Sequence, residues 1–229
     1  MFPRITFALA LATLFVAGSY AQSKSDHDLP VVVPLQKMRA GQWVEKVWGD
    51  PEKPGEVFAI RIHNDAGYLV MPHVHPMDEH IVVVQGTWWF AMGSRFDPAA
   101  LKEVPLNAFA MGPKNMPHFA WSKVETIIHV YGIGPFASKL VDPVYELTPE
   151  GSFLLTSLFK PGTPANSSPP DCFSLKVGAR VKIAEAEGVI VGARCSPANH
   201  VTQYWIEKTN GDRFWATLEQ LKPVAATGP

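Results

Sequence analysis

The chain has 229 residues, 47% of them hydrophobic and 18% charged, with 21 Pro and 17 Gly. This size fits one large domain or a medium one plus a small one, and the hydrophobic content excludes a disordered chain. No heptad tract is present, and a formal net charge of −1 argues against a nucleic-acid partner, which calls for a basic surface.

Residues 1–21 read as a secretory signal peptide. Arg4 precedes the apolar run Ile5–Ala17, and Gly18-Ser19-Tyr20-Ala21 puts small residues at the −3 and −1 positions of a cut after Ala21. The apolar run is too short to span about 30 Å of hydrocarbon as a helix. No later stretch is long and apolar enough to span. The expectation is therefore a periplasmic or secreted protein without a membrane span after cleavage. Export also changes how Cys172 and Cys195, the two cysteines, are read. In an oxidising compartment they can form a disulfide; two buried thiols are the alternative.

Lys160 to Asp171, KPGTPANSSPPD, is rich in Pro and small polar residues and reads as a linker. It divides the chain into 22–159 and 172–229. The first part is strand-like: Val57–His63, Tyr68–Met71, His80–Val84, Trp88–Met92 and Thr126–Tyr131 are short β-branched or aromatic runs between turn residues. Asp97 and Pro98 carry the cap and first-turn signals of one short helix. In the second part Arg180–Ile183, Gly188–Ala193, Thr202–Lys208 and Arg213–Ala216 read as strands, with Asn210-Gly211 as a hairpin turn. The expected class is all-β throughout.

The chemistry concentrates in Gly67–Gly86, GYLVMPHVHPMDEHIVVVQG. Residues two apart on a strand share a face, so His73 and His75 can aim both imidazoles into one cavity. Pro76 and Asp78 favour a turn, after which Glu79 can return its carboxylate to the same place. Pro117-His118 puts a further imidazole at the start of a strand. Such a set suits a divalent first-row ion and leaves positions for water or substrate. His63 and His129 sit in strands, as filling or as donors orienting a ligand. His80 should face away from Glu79.

Gly67, His73, His75, Glu79 and Gly86 fall at the spacing G-x5-H-x-H-x3-E-x6-G, and the stretch resembles the first motif of the cupin superfamily. The second motif is partly matched by Gly112, Pro113 and His118. Asn115 or Met116 stands in place of its glycine and Ser122 in place of its asparagine. The resemblance covers roughly Glu56 to Pro143. It implies a double-stranded β-helix (jelly-roll) barrel in which His73, His75, Glu79 and His118 hold one divalent transition metal, Mn, Fe, Ni, Cu or Zn. It also implies that two copies can pair through their sheets. Alternation from these positions predicts a mostly apolar substrate pocket lined by Met71, Ile81, Val83, Gln85, Trp89 and Ala120.

Phe173 to Pro223 resembles small SH3-like barrels, carried by Val177-Gly178-Ala179-Arg180-Val181, Gly188–Val191 and Phe214-Trp215-Ala216. Such barrels often bind peptides, modified side chains or nucleic acid; weak charge and export argue against nucleic acid, and Tyr204, Trp205, Phe214 and Trp215 either line a cage or pack as core. No catalytic group stands out beyond the ligands. Two functional readings follow. One is a metal-dependent oxygenase or oxidoreductase acting on a small organic molecule. The other is a non-catalytic protein that binds a small molecule or senses metal, its C-terminal barrel contacting a partner. A structural metal site is a third.

Overall fold

The computed structural model describes residues 36–39, 41–157, 160–167, 169, 171–184 and 186–224. The segment read as a signal peptide lies outside the described residues. Ten strands build the first part of the fold: β1 (Gln36–Arg39), β2 (Gln42–Trp48), β3 (Val57–Asn64), β4 (Leu69–Val74), β5 (Glu79–Gln85), β6 (Trp88–Met92), β7 (Lys102–Val104), β8 (Phe109–Gly112), β9 (His118–Trp121) and β10 (Thr126–Ile133). One sheet runs β1-β2-β3-β10-β5-β8, and a facing sheet, completed by β11 (Lys139–Leu140), runs β11-β4-β9-β6-β7. Counted in chain order from β3 to β10, the eight central strands alternate between sheets as 1-8-3-6 and 2-7-4-5. That order is the jelly roll, the double-stranded β-helix that cupins share.

Period-two alternation explains the barrel. Phe58, Ile60 and Ile62 of β3 are buried, as are Ile81 and Val83 of β5 and Ile128 and Val130 of β10, while the residues between them face outward. Each such side chain contributes about 1.5–3 kcal/mol on burial. Asp97 caps a single 3-10 turn, Pro98–Ala100, by accepting from the Ala99 N–H at 2.9 Å.

A third sheet takes in β12 (Tyr145–Leu147), β13 (Phe153–Ser157), β14 (Lys160–Pro164), β15 (Arg180–Ile183), β16 (Ala186–Ser196), β17 (Val201–Lys208), β18 (Arg213–Thr217) and β19 (Lys222–Pro223). Lys160–Pro164, within the stretch read as a linker, is therefore a strand. Among the described residues it pairs with β13 alone, at the end of the sheet order, where Pro161 and Pro164 need supply no second row of donors. β17 and β18 form the expected hairpin, turning through Lys208–Gly211 with Gly211 in the left-handed region at φ 87°. Cys172 and Cys195 are bonded, with Cα atoms 6.0 Å apart. The described residues belong to one compact unit.

The C-terminal sheet grips the entry to β4. The Gln203 side chain accepts from the Leu69 N–H at 3.2 Å and donates to the Gly67 carbonyl at 2.8 Å. Arg194, 2% exposed, donates to the Leu69 carbonyl at 3.1 Å and lies 4.5 Å from the Tyr68 ring centroid. The Trp215 backbone N–H donates to the Ala66 carbonyl at 2.9 Å. A Cβ on Gly67, which has φ 82°, would fall on the Trp215 carbonyl oxygen. Trp205 and Trp215 join the barrel's own core, and Tyr204 is fully buried with its hydroxyl accepting from the Ser174 and Leu175 N–H groups. These aromatics are core, not an open cage.

Candidate metal centre

His73 lies near the end of β4, His75 just beyond it, Glu79 opens β5 and His118 opens β9. The β4–β9 ladder sets His73 directly opposite His118. The four residues are 4%, 1%, 4% and 1% exposed, and one ligand atom from each lies within 4.8 Å of all the others. Gly112 is paired with Glu79 and lets β8 approach this closely. A Cβ there would stand 3.0 Å from His118 Cε1 and 3.3 Å from Glu79 Oε2.

The imidazoles are held from behind. His73 Nδ1 is 2.9 Å from the Met71 carbonyl, His75 Nδ1 is 2.9 Å from the Ala137 carbonyl and 3.0 Å from Ser138 Oγ, and His118 Nδ1 is 3.0 Å from the Met116 carbonyl. A carbonyl only accepts, so each Nδ1 carries its proton and each Nε2 turns a lone pair inward. His75 Nε2 and His118 Nε2 are buried with no hydrogen-bond partner. They stand 3.5 and 3.2 Å from Glu79 Oε2. Unpartnered inward lone pairs around an acidic oxygen are a donor set that a divalent transition ion fits, and the carbonyl contacts are the outer support such ligands require.

Charge fits as well. Burial, reinforced by the fields of His118 and His75, pushes the His73 imidazole down to about 3, so it is neutral. Burial works against the Glu79 carboxylate, but His118 and His75 beside it hold its value well below the carboxylate range. Burial likewise opposes charge on His75, yet Glu79 raises its value. The ionised Glu79 carboxylate is thus what draws positive charge into the site, whether a proton on His75 or a cation.

The cavity beside these residues measures about 20 Å³, room for one or two water-sized molecules. Its lining corrects the expected pocket. Ile81 and Ala120 belong to it; Met71, Val83, Gln85 and Trp89 do not. The register of β4 against β9 shifts between Val70 and His73, so Val70 lines the cavity while Met71 packs with Leu69 and Val144. The turn at Gly86 and Thr87 resets alternation, bringing Trp88 and Phe90 inward and leaving Trp89 beneath Lys123 Nζ at 3.3 Å. Val83 is buried in the same core away from the cavity, and Gln85 is exposed and donates to Glu125.

Gln42 also lines the cavity. It was missed because a polar residue at an inward strand position carries no signal of its own. His63 and His129 lie among other partners: His63 stacks on Trp43 at 3.4 Å between centroids, and His129 accepts from Arg61 Nε at 2.9 Å. His80 packs near Phe109, as alternation required.

No family model matches the chain, and no curated protein does. Among solved structures, the KdgF protein of Halomonas sp. is 18% identical, with a TM-score of 0.37 over 44% of this chain and 87% of that one. An RmlC-like cupin from Shewanella frigidimarina is 17% identical, with a TM-score of 0.36 over 44% and 83%. Salicylate 1,2-dioxygenase from Pseudoaminobacter salicylatoxidans is 10% identical, with a TM-score of 0.37 over 45% and 30%. The fold is the double-stranded β-helix jelly roll. Its assignment rests on the strand order rather than on these partial overlays.

Proposed function

We propose that this is an exported protein with one mononuclear divalent metal centre, acting as an oxygenase or related oxidoreductase on a small organic molecule. The observation that carries the proposal is the buried quartet His73, His75, Glu79 and His118, with its imidazole lone pairs directed inward. A first-row ion held there supplies Lewis acidity or one-electron chemistry. The chain's own residues do the rest. Glu79 offsets the ion's charge, the carbonyls of Met71, Ala137 and Met116 fix the imidazoles, and the apolar barrel excludes bulk water. The Cys172–Cys195 bond suits an oxidising compartment and so supports export.

The test is dioxygen uptake by the chain reloaded with iron, manganese, nickel, copper or zinc, over a panel of small phenols and carboxylic acids, with His73→Ala as control. Uptake is expected only in the wild type loaded with a redox-active ion, with zinc, which has no redox chemistry, as the inert comparison. Equal uptake with and without metal contradicts the proposal.

The small inner cavity also favours a second reading, a protein that binds a small molecule or senses metal without turnover. A cleft of about 350 Å³, the size of small-molecule sites, lies where Leu69, Phe96 and Pro98 meet Val201, Thr217 and Leu218. In this reading the C-terminal module, taken as SH3-like, contacts a protein partner. Ligand binding without product formation would favour it.

A further inference from the structure

The cleft at the seam between the barrel and the C-terminal sheet has fixed walls. Its floor is Leu69, 3% exposed, whose backbone N–H and carbonyl are held by Gln203 and Arg194. One wall is tied across the seam by the Phe96 N–H, which donates to Asn199 Oδ1 at 2.7 Å. Another carries the single 3-10 turn Leu218–Gln220, fixed by the Gln220 side chain, which accepts from the Thr217 N–H at 2.8 Å. The protein's own hydrogen bonds thus set the shape, and binding has little left to order.

Inside, the side chains divide by chemistry. Leu69, Phe96, Val201 and Leu218 offer hydrocarbon. Among the polar ones acceptors prevail. Glu219 is a carboxylate, and among the described residues no Lys or Arg lines the cleft. Thr217 Oγ1 commits its proton to Gln220 Oε1 at 3.2 Å, and Thr202 Oγ1 commits its own to the Cys172 carbonyl at 2.9 Å. Toward a ligand both hydroxyls therefore only accept. A neutral His200 ring adds one accepting nitrogen.

Acceptors and one carboxylate beside hydrocarbon call for a ligand with an apolar body and a positively charged donor. Resting on the small-molecule-binding reading above, we infer that this cleft binds a small organic amine, its ammonium toward Glu219 and its apolar body on Leu69 and Phe96. A volume of about 350 Å³, at the small end of ligand sites, suits one ring and a short chain. Glu219 is exposed, so its ion pair adds a salt-sensitive preference of about fivefold, and the hydrocarbon contacts supply the rest of the affinity.

The test is methyl-resolved NMR of the full chain at low ionic strength, titrated separately with phenethylamine, phenethyl alcohol and phenylpropionate. The amine should move the methyl signals of Leu69, Val201 and Leu218 and bind about fivefold more tightly than the alcohol. Glu219→Gln, an isosteric change at an exposed position, should abolish that preference. Equal binding of amine and alcohol, tighter binding of the carboxylate, or a preference that survives Glu219→Gln overturns the amine while leaving the cleft as a small-molecule site. No movement of these signals with any of the three compounds overturns the cleft as well, and with it the small-molecule site of the second reading.

Discussion

The decisive residues are those that cannot be exchanged without disturbing the ligand lone pairs. Glu79 and the imidazoles of His73, His75 and His118 were legible as a set, because a two-residue period and a fixed spacing suffice to bring them together. The backbone carbonyls behind them were not legible, because any residue type supplies a carbonyl. Gly112 was visible as a motif position but not for its reason. Its missing side chain lets His118 and Glu79 stand within 3.4 Å of where a Cβ would be. Gly112→Ala should therefore weaken metal affinity about tenfold, comparable to the loss of an outer-shell contact. Isothermal titration with zinc checks this; unchanged affinity would show that the strand yields without moving the ligands.

At the scale of elements, alternation is reliable within a strand and fails across a shift in register. The irregular β4–β9 pairing separates Met71 from His73, and the β5–β6 turn separates Trp88 from Trp89 in the opposite sense from that expected. β2, β12 and β13 passed unnoticed, being short or mixed with charged residues, and Lys160–Pro164 was masked by its prolines. The disulfide joins the segment before β15 to β16 across 23 residues. By the chain-entropy argument its loss costs about 3 kcal/mol. Cys172→Ser should lower the unfolding midpoint in urea while leaving bound metal unchanged. Loss of metal together with the disulfide would show that the two regions are coupled more tightly than described.

On the outer face of the sheet, His63 and His129 are part of a cluster with Trp43, Glu45, Arg61 and Tyr131. Burial lowers both imidazoles, aided at His129 by Arg61 and opposed at His63 by Glu45. Below their ordinary value of 6.5 the unfolded chain binds these protons first, so their contribution is complete above that pH and lost as pH falls through the lowered folded values. His129→Gln, whose amide oxygen can still accept from Arg61, should flatten the decline of Tm between neutral pH and pH 5. An unchanged slope would contradict this assignment.

At the scale of the whole molecule, the C-terminal sheet holds the strand that delivers His73. Gln203 satisfies one donor and one acceptor at Gly67 and Leu69, and Gln203→Leu should cost about 1–3 kcal/mol for each backbone group left unpaired. Chemical denaturation checks this; a loss below 0.5 kcal/mol, the ordinary surface value, would show that the seam contributes little. Little of this seam was legible, because Arg194, Gln203 and Trp215 lie more than 100 residues from the residues they meet and nothing local marks the pairing.

The most direct measurement of the central claim is metal stoichiometry by elemental analysis, on protein isolated without added metal, with His73→Ala and Glu79→Gln beside it. The account predicts close to one transition-metal equivalent per chain in the wild type and loss of that metal in both variants. A wild type that binds no transition metal when reloaded, or variants that keep it fully, would contradict the account.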